Sequence, residues 1–194
     1  MKTAVIALHY QNEVLHPGGK IRLGVAEESD RRETVIAAAT RVLAAARKRL
    51  LPLIHVRIMF PRGYEGVAQN APIFRNVVAS GAMEEGSWGA QFYDGLEPMP
   101  DETIVDHSRV NAFFGTNLDQ ILSDLGVERL ILAGVATNSV VEHTARHAAD
   151  MGYHVAVAAD ACSAAMPQVH QASLDNIALI GEVSSVAALL EDNA

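Results

Sequence analysis

"GVATNSVVEHTARHAADMGY", residues 134–153, stands between two short apolar runs, "ERLILAGV" (residues 128–135) and "YHVAVAAD" (residues 153–160). In the middle stretch Val140, Val141, Thr144, Ala145 and Ala148 recur at helical spacing and form one apolar arc, and Gly152 marks a stop. The flanking runs are apolar at successive positions. They have no polar face to offer water, so each reads as a strand buried on both sides. Strand, small-residue turn, helix and strand in succession make the repeating unit of a parallel sheet covered by helices.

The same alternation continues outward in both directions. Toward the N-terminus, "TAVIAL" (residues 3–8), "LPLIHVRI" (residues 51–58) and "TIVDH" (residues 103–107) read as strands. "SDRRETVIAAATRVLAAARKRL" (residues 29–50) reads as a helix opened by a capping box from Asp30 to Glu33, and "GTNLDQILSDLG" (residues 115–126) as a helix stopped by Gly126. Beyond the opening unit come the helix "PQVHQASLDNIALIG" (residues 167–181) and a short strand "EVSSV" (residues 182–186) before "AALLEDN". Residues 61–102 are rich in Gly, Pro and Asn and read as irregular, with Tyr64, Phe74, Trp88 and Phe92 among them. A loop that long is expected to serve as a lid or pocket wall. There is no repeat, low-complexity tract or linker, so residues 1–194 are expected to form a single domain of the α/β class.

Composition narrows the function classes. Fifteen Lys and Arg against 23 Asp and Glu give a net charge of −8, a balance that repels nucleic acid and anionic membrane. No run approaches the roughly 18 apolar residues of a membrane span, and the N-terminal run has the length of a buried strand rather than a signal peptide. The single cysteine, Cys162, allows no intrachain disulfide and fits a cytoplasmic protein. It lies in "DACSA", where it reads as a small buried hydrophobe.

In a parallel sheet the ligand sits outside the C-terminal strand ends. That rule brings together His9 after the first strand, Arg57 in the second, His107 at the end of the third and "GVATNSV" after the fourth. Arg57 either anchors a substrate carboxylate bidentately or pairs with an acidic side chain. Trp88 and Phe114 either line the pocket or close the insert onto the core. Ser139 is either a nucleophile or a first-turn residue of the helix, and Asn138 either borders the substrate or shapes the turn. His143 and His147 share the i, i+4 spacing of metal-binding helices. They sit at the edge of the apolar arc with no further ligand nearby, so boundary packing or an intersubunit contact is the alternative, and no metal is assigned.

Three segments carry a resemblance over nearly the whole chain. "VIALHYQNEV" (residues 5–14), "HSRVNAFFGTNLDQIL" (residues 107–122) and "GVATNSVVEHTARHAADMGYHVAVAADACSA" (residues 134–164) are similar, in order and spacing, to the motifs of the isochorismatase-like superfamily, also called cysteine hydrolases. The resemblance implies a three-layer α/β/α fold with a mainly parallel, Rossmann-like sheet of about six strands. It also implies a small-molecule substrate or ligand, no cofactor, and a homodimer or homotetramer. Superfamily members with a metal take it from Asp and His residues after the second strand, where this chain has "HVRIMFPRG" (residues 55–63).

The superfamily works with an Asp, a Lys and a nucleophilic Cys. Position by position these fall on His9, His107 and Val140, and a valine cannot attack a carbonyl. The resemblance further implies a cis peptide at Val135–Ala136 and an oxyanion pocket built from the backbone N–H groups of Ala136 and Val140. The expectation is a hydrolase that cleaves a vinyl ether or an amide-type C–N bond by general acid–base chemistry and water attack. Its centre is a pair of imidazoles, one protonated and one neutral. The alternative is an inactive member that binds a small ligand or plays a structural role.

Overall fold

A computed structural model describes residues 1–21 and 30–191 of the chain. Six strands form one sheet: β1 (Thr3–Leu8), β2 (Leu53–Ile58), β3 (Thr103–His107), β4 (Arg129–Gly134), β5 (His154–Ala158) and β6 (Glu182–Ser184). Their spatial order is β3-β2-β1-β4-β5-β6 and every neighbouring pair is parallel. The helices are α1 (Asn12–Leu15), α2 (Asp30–Lys48), α3 (Pro72–Ser80), α4 (Leu118–Asp124), α5 (Glu142–Asp150) and α6 (Pro167–Ile177). The Asp30 side chain on which the capping box rests lies outside the described residues. Among the described residues no helix is long and apolar enough to cross a membrane.

Strand side chains alternate between faces, and both faces are apolar. Val5, Ala7, Ile131 and Ala133 pack beneath α2 against Val35, Ala39, Val42 and Leu43. Ala4, Ile6, Leu130 and Leu132 pack on the other side against Leu118 and Leu122 of α4, Ala145 and Ala148 of α5, and Leu174 and Ile177 of α6. This burial on both faces explains why the strand runs lack the period-two polar pattern of a one-sided sheet.

The strand order fixes where a site can form. From β1 the chain moves one way to β2 and β3, then returns to the other side of β1 for β4, β5 and β6. The crevice at that reversal opens between the C-terminal ends of β1 and β4. Leu8 and Gly134 are register partners there, and Val135 N–H donates to the Leu8 carbonyl at 3.1 Å. A Cβ on Gly134 would stand 2.2 Å from that carbonyl oxygen, so only glycine permits the close approach.

The 61–102 insert departs from its irregular reading. It holds α3, which starts with Pro72 in its first turn and ends at Gly81 with φ 61°. The helix predicted from Ser139 is also divided. Thr137–Val141 form a π-helical turn, and regular α-helix begins at Glu142. Such turns are rare and concentrate at functional sites.

Candidate active site

His9 follows β1 with a left-handed backbone (φ 57°), a conformation that is uncommon for non-glycine residues. Its N–H donates to the Val56 carbonyl at 2.9 Å. His107 ends β3, and its carbonyl accepts from Met59 N–H at 2.9 Å. β2 lies between these two strands, so the imidazoles meet across its C-terminal end. Their Nε2 atoms are 2.5 Å apart, their ring centroids 4.8 Å apart, and both side chains are buried.

The neighbours of the pair assign its protons. His107 Nδ1 is 3.3 Å from the Asn111 carbonyl, which only accepts, so Nδ1 carries the hydrogen. In a neutral ring His107 Nε2 is then the acceptor and His9 Nε2–H the donor, which leaves His9 Nδ1 unprotonated. Burial, and secondarily the facing His107 ring, hold the His9 pKa well below 6.5. Burial pushes His107 down to about 4, against the opposing pull of the Asn111 carbonyl and Asp106. Both rings are therefore neutral at pH 7. The expectation of one protonated and one neutral imidazole is corrected by the dryness of the site, which penalises either charge.

The residues after His9 hold the strand ends in place. Gln11 accepts from Ile58 N–H at 2.9 Å through its side-chain oxygen, and its amide group donates to the carbonyls of Ile58 and Ala90. Asn12 donates to the Trp88 carbonyl at 3.0 Å. Together they pin the β1 end to β2 and to the insert.

Across the crevice Val135–Ala136 is a cis peptide. Thr137 N–H donates to the Ser163 carbonyl at 2.8 Å, and the N–H groups of Ser139 and Val141 both point to the Ala136 carbonyl; none of these bonds uses the Ala136 N–H. The Val140 side chain is fully buried in the core beneath α5. Ser139 is half-buried and borders the same cavity as His9.

That cavity measures about 290 Å³, a volume suited to a small organic molecule. Its floor is His9, Val135, Ala136 and Ser139, and its apolar walls include Ile58, Phe60, Met83 and Val110. α3 closes it with Ile73, Phe74 and Val77. The insert thus serves as a pocket wall through a helix.

Four residues expected to line the pocket do not line this cavity. Arg57 binds Asp106 bidentately, Nε to Oδ1 at 2.6 Å and Nη2 to Oδ2 at 2.8 Å, because β2–β3 register makes them neighbours. Trp88 is 47% exposed and packs on His16. Phe114 borders a separate shallow depression beside His107, and Asn138 another along the exposed side of α5. Sequence reasoning missed Lys20 and Arg109, both of which border the cavity. Arg109 was within reach of that reasoning, since it lies two residues past His107.

The remaining candidates stand apart from this cavity. Burial pushes the Cys162 thiol up to about 12, so it is protonated at neutral pH. His143 and His147 are exposed on α5, the latter against Phe113. Among the described residues no group of three or more His, Cys, Asp or Glu is placed to hold a metal ion.

The model of the isochorismatase domain matches residues 3–188. The chain belongs to the isochorismatase family. A family relative, the ureidoacrylate amidohydrolase RutB of Stutzerimonas stutzeri (strain A1501), is 31% identical, with the alignment covering 100% of this chain and 83% of the relative. An isochorismatase family protein of Desulfovibrio vulgaris superposes with a TM-score of 0.85 at 25% identity, covering 97% of this chain and 96% of that one. A cysteine hydrolase of Pseudomonas syringae pv. phaseolicola superposes at 0.84 with 26% identity, covering 97% and 91%. Hydrolase is the activity class that these isochorismatase-family relationships support.

Proposed function

We propose that this chain hydrolyses a C–N bond of a small amide or ureido compound, with water activated by the His9–His107 pair and no cysteine in the reaction. The observation that carries the reading is the Nε2–Nε2 contact of two neutral, buried imidazoles, of which His9 lines the cavity and His107 borders the separate depression next to it. The name of the amidohydrolase relative supports the bond type.

His9 Nδ1 takes a proton from water as the oxygen attacks the carbonyl carbon. The N–H groups of Ala136 and Val140 receive the resulting oxyanion, aided by the positive end of the following helix. The C–N bond then breaks as the same proton passes to the leaving nitrogen. Water and amide become acid and amine, and the pair returns to its neutral state. His107 orients His9 and shares the transient positive charge through the Nε2–Nε2 hydrogen bond. Ser139 stays outside the covalent steps, because a serine nucleophile needs a base hydrogen-bonded to its hydroxyl and the side-chain hydrogen bonds of His9 and His107 go to each other and to the Asn111 carbonyl. Vinyl-ether cleavage is disfavoured, since it begins with proton donation and both rings are neutral at pH 7.

The test is ammonia or amine release from a panel of small primary amides and ureido acids. His9→Ala and His107→Ala should each lower the rate by at least about a hundredfold, the usual worth of a positioned acid–base group. Tight binding with no turnover of any panel member by the unaltered protein would favour the ligand-binding alternative.

A further inference from the structure

The charges bordering the cavity are one-sided. Its only side chains of fixed charge among the described residues are Lys20 and Arg109, and no Asp or Glu lines it. This holds in a protein whose net charge is −8. A cleft of one sign with low-dielectric walls draws in ligands of the other sign.

Arg109 is held ready for such a ligand. Its guanidinium carbon lies 3.7 Å from the centre of the Phe74 ring, over its face. Nη1 donates to the Ala68 carbonyl at 3.1 Å and Nη2 to Asn70 Oδ1 at 3.0 Å. Both acceptors are neutral, and among the described residues no carboxylate pairs with Arg109. These bonds use one N–H of each Nη and leave the Nε–H and the other Nη hydrogens. Lys20 is placed in the same way, its Nζ donating to the neutral Gly81 carbonyl at 2.7 Å. The nearby Glu13 carboxylate is turned onto the backbone N–H groups of Lys20 and Met83 and does not line the cavity. Arg57, by contrast, is already neutralised by Asp106. Between the cations and His9 the walls are mostly hydrocarbon.

We propose that the cavity selects small amides with an apolar body and an anionic end group, a carboxylate that pairs with the Phe74-stacked guanidinium of Arg109 while the amide faces His9. This selectivity rests on the hydrolytic reading for the identity of the reacting group, but anion preference in binding does not require turnover.

The experiment measures binding of three five-carbon primary amides that differ only at the far end: glutaramate, pentanamide and 5-aminopentanamide. Titration calorimetry is run on the unaltered protein, Arg109→Gln, Arg109→Lys, Lys20→Met and His9→Ala, with circular dichroism on each. Glutaramate should bind the unaltered protein at least about tenfold more tightly than pentanamide, as a charge-assisted bidentate pair warrants, with 5-aminopentanamide weakest. Arg109→Gln should erase the preference, Arg109→Lys retain part of it, and Lys20→Met reduce it less. His9→Ala should keep the preference in binding while losing turnover. If Arg109→Gln fails to fold, Lys20→Met and the salt dependence of glutaramate affinity in the unaltered protein decide. Equal affinity for the acid and the neutral amide, or a preference unchanged in the variants, overturns the proposal. Anion-selective binding without hydrolysis would leave it standing and refute the hydrolytic reading alone.

Discussion

Thr137 Oγ1 lies 2.8 Å from Nδ1 of His170, a hydrogen bond that ties the turn after β4 to α6. Thr137 is fully buried, and His170 is kept neutral chiefly by burial, with Arg31 nearby adding to the effect. The bond fixes the segment that carries Ala136 and Val140, the two residues proposed to hold the oxyanion. Thr137→Val keeps the shape and removes the hydroxyl. It should lower kcat about tenfold, since small displacements of a catalytic group are costly, and leave KM nearly unchanged, with Thr137→Ser restoring most of the rate. Steady-state kinetics on the three proteins checks this. A rise in KM with kcat intact would place Thr137 in binding instead.

Val140, on which the sequence resemblance implied that the nucleophile position falls, is a core side chain. Val140→Ala should cost about 2 kcal/mol of stability, from the lost burial and the cavity left behind. The rate should stay within about threefold, because the proposed chemistry uses only the backbone N–H of this residue. Chemical denaturation and an activity assay on the same preparation separate the two effects.

Cys162 is the only cysteine in the chain, is 2% exposed, and has its thiol pushed up to about 12 by burial. The thiolate is the reactive form. Iodoacetamide at pH 8 should therefore leave both the mass and the activity of the folded protein unchanged, and label it only after denaturant is added. Loss of activity in step with labelling of the folded protein would restore a role for the thiol.

Stability should fall in acid. His9, His55 and His107 all have folded pKa values below 6.5, each chiefly through burial, with His107 at about 4. Each binds a proton more readily once unfolded. Their contribution is thus complete above about pH 6.5 and lost as pH falls toward the folded values, with His107 alone worth up to about 3 kcal/mol. Glu102 is held down at about 2 chiefly by Arg47, so its contribution is lost lower, between its ordinary 4.5 and 2. Thermal melts from pH 8 to pH 4 should show Tm dropping below pH 6.5. The drop should be shallower in a His9→Asn, His107→Asn double variant, which cannot titrate there.

Much of the fold was legible because it rests on burial. Strands apolar on both faces, such as 3–8 and 128–135, have no other use in a chain of this length, and their alternation with helices implies parallel order. The rule that ligands sit at C-terminal strand ends then brought His9 and His107 to one place. α3 was not legible because only Phe74 and Val77 of its nine residues are buried, too few to print a helical period in a stretch rich in Gly and Pro. The choice for Arg57 between a substrate carboxylate and an acidic side chain stayed open, because its partner Asp106 depends on the β2–β3 register, which a single sequence does not reveal. Lys20 reaches the cavity because the chain turns back after α1; the Pro17-Gly18-Gly19 run marks a turn there, but a single sequence does not show where the turn sends the chain.

The central claim is that a neutral imidazole pair activates water, and the pH dependence of kcat/KM for amide cleavage tests it most directly. The account predicts a rate that is level from about pH 6 to pH 9 and falls in acid as the pair takes up a proton, with its midpoint well below 6.5. The limb should sharpen toward loss near the His107 value of about 4. A rate that climbs as pH falls through 6 would mean that an imidazolium acid drives the reaction, and would contradict the account.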